Sequence, residues 1–229
     1  MFDTFKVLVH EAELPDLVAR LRAQAQLTPV QKASVPVHPA LSELLPGGGL
    51  RPGAAYQVTA GALLISLLAE PSAAGSWCSV VGMPEFGAEA ARGAGIALDR
   101  LALVPHPGER WLSVVAALSE VVRVVAVRPV GMVGQADANR LAARLREHDC
   151  VLLACGPWPR AEATISLGSA RWLGLEDGSG YLTGREAEVT VRSRQGMTKT
   201  ARLLLPDQHG RVAASAEPVA APGRLRAVG

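Results

Sequence analysis

The sequence predicts an α/β fold, a mostly parallel central sheet flanked by helices and extended by antiparallel strands toward the C-terminus. Three observations carry this expectation. Short apolar runs recur from Ala55 to Ala154 and alternate with segments of helical periodicity, the rhythm of parallel strands joined by crossover helices. From Thr164 onward the pattern changes to runs such as ATISLGS, EVTVRSR and TARLLLP, which alternate in polarity and are separated by Gly, Asp and Ser, as in hairpins. The chain is also large and apolar enough for one sizeable core, with 229 residues, 49% hydrophobic and 19% charged. Aromatics are only 4%, so that core must be built from Val, Leu, Ala and Ile.

Taken in order, Pro15 to Gln26 places Leu14, Val18, Leu21 and Ala25 on one helical stripe. A proline-marked linker, TPVQKASVPVHPA, leads to a helical turn around Leu41 to Leu45. Ala55 to Val58 reads as a strand and Ala62 to Glu70 as a helix stopped by Pro71. Trp77 to Val81 is a strand, Phe86 to Gly95 a helix and Leu101 to Val104 a short strand. Glu109 to Val121 is a helix with Trp111, Val114, Val115 and Leu118 on one face. Val122 to Val127 shows no polar alternation, which predicts a central parallel strand. Gly134 to His148 is a helix with an Arg-rich outer face, and Cys150 to Ala154 another buried strand. The expected organisation is an N-terminal helix and linker (1–40), a core with its antiparallel strands (41–212) and a flexible tail (213–229).

Charge and cysteine usage exclude several classes. A net charge of +2 is too small for a global nucleic-acid or membrane signal. Cys78, Cys150 and Cys155 form no disulfide framework and no metal-ligand cluster, so they read as buried structural thiols of a reducing compartment. The N-terminus lacks the basic and apolar regions of a secretory signal. The longest apolar stretch, Ala54 to Ala69, falls short of the roughly 18–20 residues of a membrane span. The expectation is a soluble cytoplasmic protein without membrane, metal or cofactor.

The run PALSELLPGGGLRPGAAYQV resembles the entry to a RecA-family core, where a helical turn and a Gly-rich segment lead into the first strand. WCSVVG is similar to the second core strand of that family, VRVVAVRPVGMVG to its Walker B strand and DCVLLACG to the strand after it. The likeness implies a RecA-like core over roughly Leu41 to Arg194. A working member would carry G-x-x-x-x-G-K-S/T after the first strand, because successive backbone N–H groups wrap the phosphates, the lysine reaches the β/γ oxygens and the hydroxyl holds Mg²⁺. Here only Thr59, Ala60 and Gly61 join strand to helix, and no lysine occurs between Lys32 and Lys199. Ser66, inside an apolar helix, reads as a core hydroxyl bonded to local backbone. Arg128 stands where the Walker B acid belongs, and Pro84, beside Glu85, falls at the place of the water-activating Glu. These absences predict a degenerate ATP site and no catalytic residues.

The C-terminal part, ARWLGLEDGSGYLTGREAEVTVRSRQG followed by ARLLLPDQHG, is similar to that of ImuA-type proteins, including the actinobacterial ImuA′ form. That resemblance implies a non-catalytic accessory role in damage-induced translesion synthesis, beside an ImuB-like adaptor and an error-prone replicative-type polymerase. The alternative is an ATP-independent RecA-like protein that binds single-stranded DNA or oligomerises. For DNA the candidates are Arg185, Arg192, Arg194 and Lys199, in a segment with eight basic residues against four acids from Arg185 to the end. The bland reading, solvated positions on a half-exposed sheet, is the more economical one. For a partner the candidates are Leu14, Val18 and Leu21, which could also fold back on the core, and Trp172 and Leu173, with Trp158 a further aromatic.

Overall fold

Val124–Val127 (strand β5) is apolar at every position because both of its faces are covered. Val124 and Ala126 point into one apolar layer, and Val125 and Val127 into the layer on the other side of the sheet. The same division recurs in Val151–Ala154 (β6), where Val151 and Leu153 face the first layer and Leu152 and Ala154 the second. This computed structural model describes residues 7–8, 14–25, 34–176 and 179–215.

Among the described residues β1 (Val7–Leu8), β2 (Ala55–Val58), β3 (Cys78–Val81), β4 (Leu101–Val104), β5, β6, β7 (Ala163–Glu176), β8 (Ser179–Ser193), β9 (Thr198–Leu204) and β10 (Ala213–Ala214) form one sheet in the order β1-β4-β3-β5-β6-β2-β7-β8-β9-β10. The parallel part consists of β1, β4, β3, β5, β6 and β2. Helices α3 (Ala62–Ala73) and α4 (Ala88–Gly93), with the short α2 (Pro39–Ser42), lie on the face of the first layer. Helices α1 (Leu14–Ala25), α5 (Trp111–Ser119) and α6 (Gln135–Glu147) lie on the other. The connections from β2 to β3, β3 to β4, β4 to β5 and β5 to β6 each run through a helix, the strand–helix–strand rhythm that the sequence predicts.

β7 (Ala163–Glu176) begins as a parallel neighbour of β2, with Gln57 opposite Thr164 and Val58 opposite Ile165. It then pairs antiparallel with β8 (Ser179–Ser193), which pairs with β9 (Thr198–Leu204), and β10 (Ala213–Ala214) closes the series. The expected mostly parallel sheet with an antiparallel extension is thus the observed fold class.

Local boundaries differ in four instructive places. Pro71 does not stop α3 but sits inside it. It forfeits only its own donor, and the turn beyond is held by the Ala74 N–H to Glu70 O and Ser76 N–H to Pro71 O bonds, both 2.9 Å. The short runs expected after Thr164 fuse into two long strands, whose pairing register shifts between Leu167 and Ala170 and again between Leu173 and Leu175. Ala213–Ala214 joins the sheet rather than beginning the tail, because both residues pair with Leu203 and Leu204; the rest of the expected tail, 216–229, lies outside the described residues. β1 pairs with β4 through two residues, too few to leave a pattern in the sequence.

Candidate functional site

In an open α/β sheet, ligands bind beyond the carboxyl ends of the strands where the strand order reverses. Here the chain runs from β3 outward to β4 and then crosses back to β5, so the reversal lies between β3 and β5. The residues that follow those two strands are the ones the family likeness singles out. The Arg128 guanidinium, just after β5, contacts the Glu85 carboxylate beyond β3 at 2.5 Å. That contact holds the Glu85 carboxyl below its ordinary range, the hydrogen bond from Arg128 being the main cause. The Arg128 N–H also donates to Val81 O at 3.0 Å. Gly82 has φ +72°, and a Cβ there would lie 2.9 Å from the Arg128 carbonyl oxygen, so only glycine allows the backbones to come this close. Arg128, which the sequence likeness sets at the place of a metal-binding acid, is thus paired with Glu85, the neighbour of the residue it sets at the place of the water-activating Glu. Among the described residues no group of three or more His, Cys, Asp or Glu side chains is placed to hold a metal ion.

The β2–α3 connection is Thr59, Ala60 and Gly61, as the sequence indicates. Thr59 is anchored to β7 by its N–H, which donates to Ile165 O at 3.0 Å, and by its hydroxyl, which accepts from the Leu167 N–H at 3.3 Å. Gly61 takes φ +86° and ψ −139° to turn directly into the helix, a conformation that favours glycine. This connection is too short to form the G-x-x-x-x-G-K-S/T loop that would wrap a phosphate chain, and the Thr59 N–H is already spent on β7. Ser66 is buried and its hydroxyl donates to Leu63 O at 2.8 Å, the core role expected of it.

The basic candidates are largely engaged within the fold. The Lys199 ammonium donates to Glu43 O at 2.7 Å, tying β9 to the end of α2. Arg194 stands 3.7 Å from Glu162, which also pairs with Arg51 at 2.8 Å. The Arg185 guanidinium lies over the Trp172 ring at 5.9 Å. Arg192 is exposed on the outer face of β8, opposite Thr164 of β7 and Thr198 of β9. The structure does not gather the four into one phosphate-binding patch.

Two partner candidates move into the core. Val18 and Leu21 are buried, together with Leu17, in the layer that contains Trp111, Val114 and Leu118 of α5. The amphipathic stripe of α1 finds an apolar shelf on its own chain, and Arg22 of α1 and Arg144 of α6 both pair with Glu120 below α5. Leu14 opens the helix, and its side chain lies outside the described residues. Trp158 is buried too, edge-on to Trp111 with ring centroids 6.4 Å apart. Trp172 remains 56% exposed and Leu173 half-buried. Beside them the structure adds Tyr181, 89% exposed, and Leu182, residues the sequence reading passed over. Alternation along GYLTG places them on a strand but does not reveal that the hairpin outruns the layer that could cover it.

Comparison with known proteins agrees with this architecture. A model of the MT3502 N-terminal domain matches residues 43–160. The uncharacterized protein Rv3395c of Mycobacterium tuberculosis is 32% identical over 167 residues, covering 66% of this chain and 80% of the relative. Among solved structures, a KaiC-like protein of the hyperthermophilic archaeon Pyrococcus horikoshii superposes with a TM-score of 0.50 at 13% identity, covering 82% of this chain and 100% of that one. At that identity the likeness speaks for the fold alone, and it supports the RecA-like α/β core. The chain belongs to the MT3502 family, with that family's N-terminal domain at residues 43–160.

Proposed function

We propose that this protein is an ImuA-type accessory factor of DNA-damage tolerance, one that acts through contacts with an ImuB-like adaptor and an error-prone replicative-type polymerase and hydrolyses no ATP. The observation that carries the reading is the switch point of the sheet, spanned by the Glu85–Arg128 pair where a nucleotide and its metal would need an acid and open space. The three-residue β2–α3 connection supports it independently. With the carboxyl edge occupied by the chain's own groups, the core serves as a scaffold for surfaces. Among the described residues no helix is long and apolar enough to cross a membrane, in keeping with a cytoplasmic role. Co-expression with an ImuB-like protein tests the reading: a stoichiometric complex that survives gel filtration at moderate salt is expected, and its absence would overturn the adaptor role.

The alternative, ATP-independent binding of single-stranded DNA, is favoured by one observation, the exposed Arg192 among the hydroxyls of Thr164, Ser166, Thr190 and Thr200 on the bare face of β7–β9. It requires salt-sensitive retention of a labelled oligonucleotide, weakened by Arg192→Ala. No retention at low salt would remove it.

A further inference from the structure

Helix α3 has the sequence ALLISLLAEPSA, apolar around almost its whole circumference. Such a helix is ordinarily covered on every side. Leu63, Leu64, Leu67 and Leu68 are fully buried against the sheet, yet Ala62, Ile65, Ala69 and Ala73 on the other side remain in part exposed. They form the floor of an open groove of about 570 Å³, whose walls are α4 and the loop after β9. The groove follows α3 from Gly61 to Ala73, a length of about 18 Å at the helical rise of roughly 1.5 Å per residue.

The walls are built for close approach. α4 contributes Ala90, Gly93 and Ala94, and the loop meets α4 at one place, where a Cβ on Gly210 would lie 3.5 Å from the Gly93 backbone. The small side chains along α3 and α4 admit the ridge of another helix, while Leu205, Pro206 and Val212 of the loop supply apolar surface beside it. Charge then fixes what that helix must carry. Glu70 on α3 and Arg211 on the loop both line the groove, and neither forms an ion pair with another described residue.

We propose that this groove docks an α-helix of the protein's partner, one with a narrow ridge of small and aliphatic residues, a basic residue that meets Glu70 and an acidic residue that meets Arg211. The proposal rests on the adaptor reading above and names the surface that reading leaves open. The two charges, Glu70 on the floor helix and Arg211 on the loop wall, lie at different places in the trough and so set the direction in which the helix lies.

The test uses the full chain with an ImuB-like protein and compares three variants on the groove, Glu70→Lys, Arg211→Glu and Ala90→Arg, with Ala143→Arg on the exposed side of α6 across the sheet. Ala90 and Arg211 are exposed, so their substitution leaves the core untouched, and the melting temperature verifies that each variant folds. Each groove variant is expected to weaken the complex by about tenfold or more, while Ala143→Arg leaves it within about twofold. A complex indifferent to all three groove variants overturns the proposal and spares the adaptor reading. A homodimer of this chain that dissociates in the same variants also overturns it, by making the groove a contact between copies. If the unmodified chain forms no complex, the adaptor reading itself falls and this proposal with it.

Discussion

Strands β3, β5 and β6 are buried on both faces, whereas β8 and β9 are buried on one and bare on the other. In the first region every side chain meets a layer of helices. In the second, Ala187, Val189 and Val191 face the core while Glu188, Thr190 and Arg192 face outward with no helix over them. The difference follows from connectivity. Parallel strands need crossover helices, which cover the sheet as they are formed, and hairpins need none. The strands of the parallel half are therefore covered on both faces, although the Glu85–Arg128 pair and Met132 at their carboxyl edge are exposed, and the antiparallel half leaves Trp172, Tyr181 and Leu182 exposed.

The largest contrast is expected from truncating one side chain in each half. Leu152, fully buried in β6 between β5 and β2, should cost about 3 kcal/mol as Leu152→Ala, whereas Tyr181→Ala should change stability by less than about 0.5 kcal/mol. Chemical denaturation of the two variants measures both, and equal losses would break the comparison. Thiol labelling sharpens it. Burial pushes the Cys78 thiol up to about 12, raises Cys150 further and takes Cys155 up to about 11, so the folded chain should resist alkylation at pH 8 and the unfolded chain should take up three equivalents. Rapid labelling of the native protein would show the parallel half to be more open than described.

A smaller effect concerns Ser79, buried in β3 with a hydroxyl that has no hydrogen-bond partner among the described residues. Ser79→Ala should raise stability by about 1 kcal/mol in thermal unfolding, since it removes an unsatisfied polar group from a closed layer. The smallest effect is the pH dependence of the Glu85–Arg128 pair. Because the Glu85 carboxyl is held below its ordinary value, the pair's contribution is present above the usual carboxylate range and is lost as pH falls through the lowered value. Unfolding curves of Glu85→Gln should therefore run parallel to those of the parent in acid and fall slightly below them near neutrality.

The closed half was also the legible half. Runs such as VVAV and VLLA are apolar without interruption because both faces are covered, so β5 and β6 could be read within two residues of their observed starts. The absence of a phosphate loop was equally plain, being a matter of which residues follow β2. The pairing of Arg128 with Glu85 was not, for it depends on β3 and β5 lying side by side although β4 and α5 intervene in the chain. Nor did the stripe of α1 reveal its own destination, since an amphipathic face reads the same whether it meets α5 or a partner. The groove beside α3 is a third case. Its apolar residues look like core in the sequence, and only the arrangement of α4 and the loop after β9 shows one side uncovered.

The central claim, that the carboxyl edge of this core holds no nucleotide, is tested most directly by equilibrium dialysis of the full chain against radiolabelled ATP with Mg²⁺, alongside Arg128→Asp. No saturable uptake is expected at millimolar ATP in either, because restoring an acid after β5 does not supply the missing loop and lysine. Saturable, Mg²⁺-dependent binding to the unmodified chain would contradict the account.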